Sequence, residues 1–391
     1  MLWSERVSRI SKWSPWCLLG GIVLSRTLAV VFFQHFTVLN DSGIAIRPGG
    51  YPAYLDYALY KEHMHEAWAK MSRPFDFIWQ LQGGKVQALA WLRDQKIAPG
   101  PVLPALLGWT NFEVSQAPLS TAYLVAGGAL GWAWALWVRH RGAAVWLQWL
   151  VACFPALIYY SLLVSTDLLY ALVIAFWFAG ACKSLEQRGG AWWWCSAAMA
   201  AALLIRPNAL ALLPLMFVLT WRDKSLHWRR FASAIWIAVG VCMFIYYLPY
   251  YWVHEGNAGQ THYWGRLPAE FYSGLWPNWP AWLSQPLSWL LLAAAKLLHA
   301  VGLRPSYSDM NGWLVLARAW PGLLMLPGLI YGLLNGRWFD RWFVIFFMVP
   351  VFVGAAQERY LLPITPLLLL WGVQAWACAL DRASKRLRVP G

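Results

Sequence analysis

The sequence predicts an all-α, polytopic integral membrane protein with about ten transmembrane helices. Hydrophobic residues make up 60% of the chain and charged residues only 12%, which is about half of the roughly 25% found in soluble domains. Apolar segments of about 20 residues, long enough to cross a bilayer, recur along the whole length. The 31 Trp and 17 Tyr residues fit this class, because their amphipathic rings favour the membrane–water interface.

The formal net charge of +14 is concentrated in short segments between apolar runs. Short basic loops are typical of the cytoplasmic side of membrane proteins, so we interpret the charge as orienting helices and exclude nucleic acid as a partner. These segments hold more than half of the Lys and Arg residues: the N-terminus and residues 139–141, 183–188, 222–230, 336–341 and 381–388.

With the N-terminus in the cytoplasm, the apolar segments return the C-terminus to the same side. The predicted spans lie at about 15–38, 118–138, 143–161, 164–182, 191–206, 208–221, 231–252, 312–335, 342–357 and 359–380. The fifth and sixth are short and meet at "IRPN", which predicts a tilted or partly embedded pair. Arg26 lies inside the first span, where an arginine is rare, and we expect it to face the bundle. The whole chain, 1–391, forms one transmembrane domain.

Two large extracytoplasmic loops are predicted at about 39–117 and 253–311, each containing interfacial helices. The second includes "LSWLLLAAAKLLHAVGL" at 287–303, which is apolar enough to resemble another span. Counting it as a span would place the basic segment 336–341 outside and residues 357–360 inside. We therefore predict a helix that lies on the outer membrane surface.

Polar residues gather at the outer ends of the predicted spans. Asp41 follows the first span, Asp167 separates the third and fourth, and Arg206 separates the fifth and sixth. Arg359 and Tyr360 lie between the ninth and tenth. The charged residues have ordinary alternatives: Asp41 in a turn, Asp167 as a helix cap, Arg206 as a snorkelling side chain and Arg359 as an ion-pair partner of Glu358. Their common membrane level nevertheless predicts a functional site.

Several stretches, in order, carry a family resemblance: the aspartate after the first helix, "APGPVLPALLG", "STDLLYALV", "LLIRPNALALLPL" and "ERYLLPITPLLLLW". Together they resemble the GT-C superfamily of membrane glycosyltransferases. That superfamily includes protein O-mannosyltransferases, lipid A aminoarabinose transferases and the mannosyltransferases of glycolipid-anchor assembly. The likeness covers about residues 15–380 and implies a polyprenyl-phosphate sugar donor and a site on the outer face.

The resemblance implies that Asp41 is the catalytic base, since the family's catalytic aspartate follows its first helix. The family often has a second acid beside this aspartate, whereas this chain has Asn40 and Ser42. Asp56 and Asp76, both in the first outer loop, therefore stay open as alternatives to Asp41.

Sugar transfer from a lipid phosphate needs a carboxylate to accept the acceptor's proton and positive charge for the departing phosphate. Arg206 and Arg359 suit the phosphate, because a guanidinium binds phosphate oxygens in a bidentate manner. The resemblance gives Asp167 a second acidic role: binding a metal, orienting the acceptor or positioning the base. His262 in the second loop is a candidate sugar or acceptor contact. A divalent metal cofactor stays open, since the superfamily contains members with and without one.

The expected function is therefore an inverting glycosyltransferase (hexosyltransferase or mannosyltransferase-like) that uses a polyprenyl-phosphate-linked sugar. The acceptor, whether lipid, glycan or protein, would lie on the extracytoplasmic side of the membrane, and a bacterial inner (plasma) membrane is the expected location. Two alternatives from other classes stay open: a lipid-linked sugar flippase or transporter, and a non-catalytic membrane subunit of a glycosylation complex.

Overall fold

The computed structural model describes residues 14–35, 38–39, 45–46, 112–162, 166–187, 191–222, 228–253, 279–303, 316, 319–353 and 358–387. Helices dominate these ranges, which confirms the helical class. Four helices in the described part are long and apolar enough to cross a membrane, consistent with a helical membrane protein: Thr121–His140, Thr166–Glu186, Arg229–Leu248 and Arg359–Lys385. Shorter apolar helices accompany them, among them Trp16–Val31 and Gly322–Asn335.

The described α-helices follow the predicted apolar segments in order. They are α1 (Ser14–His35), α2 (Phe112–His140), α3 (Val145–Ala152), α4 (Pro155–Ser161), α5 (Thr166–Gln187), α6 (Trp192–Ile205), α7 (Leu213–Arg222), α8 (Arg229–Val253), α9 (Ala281–Ala300), α10 (Gly322–Asn335), α11 (Trp338–Val353) and α12 (Thr365–Leu387). Two 3₁₀ helices, Pro207–Leu212 and Glu358–Ile364, precede α7 and α12. A short antiparallel pair that the sequence did not predict, β1 (Val38–Leu39) and β2 (Ala45–Ile46), follows α1.

The third predicted span is broken into α3 and α4. Pro155 begins α4 and has no N–H to continue α3, so the helix ends at Ala152. Carbonyls at a helix end lack an intrahelical donor. Arg26 supplies one, since its guanidinium donates to the carbonyls of Ala152 at 2.9 Å and Gly127 at 3.1 Å. Arg26 is buried, which confirms that it faces the bundle, and it binds the helix break to α1 and α2.

One end of the bundle collects four of the segments predicted to be cytoplasmic. Residues 336–341 contact the segments around 139–141, 183–188 and 222–230. The contacts are Arg141 with Asp340 (2.9 Å), Arg337 with Glu186 (3.6 Å) and the Arg222 guanidinium over the Trp338 ring (5.0 Å). These contacts bring the four segments to one end of the bundle, while the placement of 287–303 on the outer membrane surface stays a prediction.

Helices α10 and α12 pack with almost no side chain between them at Gly328. A Cβ atom there would collide with the Leu368 carbonyl and the backbone of Gly372. Gly332, one turn later, lies against the Trp371 ring in the same way. The absence of side chains lets the two backbones approach closely, which fixes α12 and the 3₁₀ helix before it.

Helix α9 is fastened to the end of α11 by Lys296. The side chain is buried, and its Nζ donates to the Phe352 carbonyl at 2.8 Å. Phe352 lies in the last turn of α11, where carbonyls lack intrahelical donors and a cation is favoured. Burial lowers the pKa of Lys296 to about 8. The contact holds α9 beside the 3₁₀ helix Glu358–Ile364.

Candidate functional site

Asp167 lies in the first turn of α5, which begins at Thr166. Its side chain is only 1% exposed. The N-terminus of a helix carries partial positive charge, so a carboxylate is favoured there. The local structure therefore accounts for part of the stability of this buried acid, and the remainder must come from neighbouring groups.

Arg206 is positioned by the proline that follows it. A residue before proline avoids the α-helical region, and Arg206 is extended with φ −149° and ψ 142°. Helix α6 therefore ends at Ile205, and the 3₁₀ helix Pro207–Leu212 begins immediately afterwards. Arg206 is buried, so it does not snorkel to the membrane surface as the ordinary alternative proposed.

Arg206 and the first turn of α5 form a direct contact. One guanidinium nitrogen, Nη2, lies 2.8 Å from Oδ1 of Asp167. The Nε group donates a hydrogen bond to the Thr166 hydroxyl at 2.9 Å. Because charge-assisted hydrogen bonds of this length are the strong ones, this contact fixes the orientation of Arg206.

Arg359 approaches the same carboxylate from the 3₁₀ helix Glu358–Ile364. Its Nη1 is 3.6 Å from Oδ2 of Asp167, and its side chain is 9% exposed. The Tyr360 ring contacts both cations, with the guanidinium carbons of Arg206 and Arg359 at 5.5 Å and 5.4 Å from its centroid. Such cation–π contacts strengthen where water is excluded. We call Thr166, Asp167, Arg206, Arg359 and Tyr360 the Asp167 cluster.

Among the described residues, the Asp167 cluster combines one carboxylate with two guanidinium groups, so its five members carry one more positive than negative charge. Each cation faces one oxygen of the Asp167 carboxylate, so both oxygens are engaged by the arginines. A divalent cation on Asp167 would be repelled by two guanidinium groups, so the pairing disfavours a metal ligand role. No group of three or more His, Cys, Asp or Glu side chains suited to a metal ion occurs in the described ranges. The cluster is chemically suited to an anion.

Sequence reasoning missed two residues here. Thr166, beside Asp167, is buried and accepts the hydrogen bond from Arg206. Tyr123 of α2 is also buried, close enough for the charge of Asp167 to act on its hydroxyl. The position of Thr166 next to Asp167 could have indicated its role, whereas Tyr123 sits in an apolar helix with no local signal.

The other predicted site residues lie outside the described residues. They are Asp41, with its alternatives Asp56 and Asp76, and His262. Asp41 falls in the sequence between β1 and β2. The structure therefore brings together Asp167, Arg206, Arg359 and Tyr360, while the assignment of the base stays a prediction.

A separate cleft of about 740 Å³ lies between α1 and α2. Among the described residues, its walls are mostly apolar, Arg26 is the one charged side chain that lines it, and no member of the Asp167 cluster takes part. Arg26 already donates to two main-chain carbonyls. The cleft is therefore distinct from the candidate site.

Comparison with known proteins gives no match: no family model, no curated protein and no solved structure is significantly similar to the chain.

Proposed function

We propose that this protein is an inverting GT-C type glycosyltransferase that moves a monosaccharide from a polyprenyl phosphate to an acceptor on the extracytoplasmic side of a membrane. The observation that carries the proposal is the Asp167 cluster, in which two buried arginines share one carboxylate. Ten spans and two outer loops, at about 39–117 and 253–311, belong to the same proposal.

The excess positive charge of the cluster supports a role in binding phosphate. The leaving group is a lipid phosphate, which gains negative charge as its bond to the sugar breaks. Preorganised cations in a site that excludes water stabilise such developing charge strongly. Arg206 and Arg359 are both buried and their orientations are set by Asp167, so they meet this requirement.

The position of the cluster supports a site on the outer face. The basic segments around 139–141 and 336–341 contact each other through Arg141 and Asp340. Helix α5 runs from Asp167 in its first turn to Glu186 near its end, and Glu186 pairs with Arg337 of the 336–341 segment. The Asp167 cluster therefore lies at the opposite end of α5 from these basic segments. If they face the cytoplasm, the cluster faces outward.

The roles divide between two acids in this mechanism. The acceptor hydroxyl attacks the anomeric carbon, and its proton passes to the Asp41 carboxylate. The new carbon–oxygen bond forms as the bond to the phosphate oxygen breaks, and polyprenyl phosphate leaves with the electron pair. Asp167 holds the two arginines in place through its ion pairs with them. A single displacement inverts the anomeric configuration.

The test uses the full-length protein in nanodiscs with a panel of polyprenyl-phosphate sugars, and it measures released polyprenyl phosphate. Transfer should be abolished in Asp41→Asn and strongly reduced in Arg359→Gln. Arg337→Gln, which removes an exposed cation at the opposite end, should leave transfer unchanged. Translocation of the intact lipid without release would instead identify a flippase, and binding without either would identify a non-catalytic subunit.

A further inference from the structure

The hydroxyl of Tyr123 is buried and lacks a hydrogen-bond partner in the described part of the chain. Buried hydroxyl groups in native proteins are nearly always paired, because an unpaired one loses its hydrogen bonds to water without compensation. A phenylalanine would fill the same space without this penalty. The hydroxyl is therefore able to donate a hydrogen bond to a partner that the described residues do not supply.

The surroundings of Tyr123 indicate what that partner is. Tyr123 lies on α2, which packs against α5, and it is close enough to Asp167 for the charge of that carboxylate to act on its hydroxyl. Asp167 in turn pairs with Arg206 and Arg359. By contrast, the hydroxyl of Tyr247 on α8 is satisfied by the Leu203 carbonyl. A phenol is a neutral donor, so close to a carboxylate that two cations compensate it is suited to an oxygen that carries negative charge.

We infer that the Tyr123 hydroxyl is the neutral third donor of an oxyanion site, donating a hydrogen bond to a phosphate oxygen of the polyprenyl-phosphate ligand while Arg206 and Arg359 neutralise its charge. This inference rests on the proposed function. Two cations attract an anion from many directions, whereas a single hydroxyl donor on a rigid helix fixes its orientation. A terminal phosphate has three oxygens, which leaves one for Tyr123.

A hydrogen bond from Tyr123 to the phosphate would distinguish the sugar-loaded lipid from the released lipid phosphate. The sugar-loaded donor is a phosphodiester with one negative charge, and the product is a phosphomonoester with a charge near −2. Hydrogen bonds to the more charged oxygen are stronger. Tyr123 should therefore contribute more to binding of polyprenyl phosphate than to binding of the sugar-loaded lipid, as expected of a group that stabilises the leaving phosphate.

The experiment compares Tyr123→Phe with the wild-type full-length protein in nanodiscs, using undecaprenyl phosphate as the probe. The matched control is Tyr246→Phe on α8, because no acidic side chain acts on Tyr246 in the described structure. Tyr123→Phe should weaken undecaprenyl-phosphate binding by about tenfold or more and the sugar-loaded lipid by less. Its melting temperature without ligand should be unchanged or higher, whereas a purely structural hydroxyl would lower it.

The outcomes separate this inference from the proposed function. Wild-type affinity in Tyr123→Phe, the result for a hydroxyl that binds only water, overturns the inference and leaves the proposed transfer standing. Tyrosine-dependent binding without release of lipid phosphate from any sugar donor supports the inference and refutes the transfer. No binding of undecaprenyl phosphate to the wild type overturns both. Equal binding of inorganic phosphate overturns the assignment to a lipid-linked ligand.

Discussion

Removing the charge of Asp167 tests the central interaction of the site. Asp167→Asn keeps the size of the side chain but leaves two buried guanidinium groups without their carboxylate, with side chains only 8% and 9% exposed. Breaking a buried ion pair by removing one partner costs about 3–5 kcal/mol, because the remaining charge stays buried. We therefore expect Asp167→Asn to lower the free energy of unfolding by about that amount.

Double-mutant cycles sharpen this prediction by separating the two arginines. Coulomb's law gives the 2.8 Å contact of Arg206 about 1.3 times the attraction of the 3.6 Å contact of Arg359. The shorter distance also permits a charge-assisted hydrogen bond, which the longer one does not. We expect a coupling energy of about 2–3 kcal/mol between Asp167 and Arg206 and about 1 kcal/mol between Asp167 and Arg359.

The assay is unfolding by SDS titration in mixed micelles, followed by tryptophan fluorescence. The exposed pair of Arg337 and Glu186 is the control, and its coupling should lie between about 0 and 1 kcal/mol. Stability of Asp167→Asn within about 0.5 kcal/mol of the wild type, or stronger coupling of Asp167 to Arg359 than to Arg206, would refute the reasoning.

Three further changes test the frame around the site, each by unfolding in the same assay. Arg26→Met removes the donor to the Ala152 carbonyl and should destabilise by about 1–3 kcal/mol, whereas no loss would show that the helix break needs no donor. Gly328→Ala should destabilise by about 1–3 kcal/mol, because the added Cβ meets backbone atoms of α12. The control is Gly20→Ala, whose added Cβ meets nothing within 4 Å, and it should be neutral. Burial lowers the pKa of Lys296 from an ordinary 10.5 to about 8 in the folded protein. Below pH 8 the folded state therefore bears the full cost of burying the charged amine. Between pH 8 and pH 10.5 the folded state releases this proton before the unfolded state does, so the free energy of unfolding should rise. Lys296→Met should lose this rise, and an unchanged pH profile would contradict the assignment.

The sequence predicted a large part of the fold because bilayer-spanning helices depend on local properties. Length and hydropathy located the helices, and the proline after Arg206 predicted the interruption between α6 and α7. The predicted placement of 287–303 on the outer surface rests on charge alone, because the number of crossings decides which side each basic segment faces, and it stays a prediction. None of these inferences needed a contact between distant residues.

Contacts between distant segments could be decided only by the tertiary structure. Hydropathy placed Asp167, Arg206 and Arg359 at one level, but only packing shows that a single carboxylate holds both arginines. The partners of Arg26 are main-chain carbonyls, which every residue carries, so the sequence cannot indicate which of them Arg26 binds. Nothing in the sequence distinguishes Tyr123 from other tyrosines in apolar helices, and only the packing of α2 beside α5 places it near Asp167. A sequence pattern indicates whether each segment prefers lipid or water. The charge balance and the unpaired donors of a buried site depend instead on which segments pack against each other.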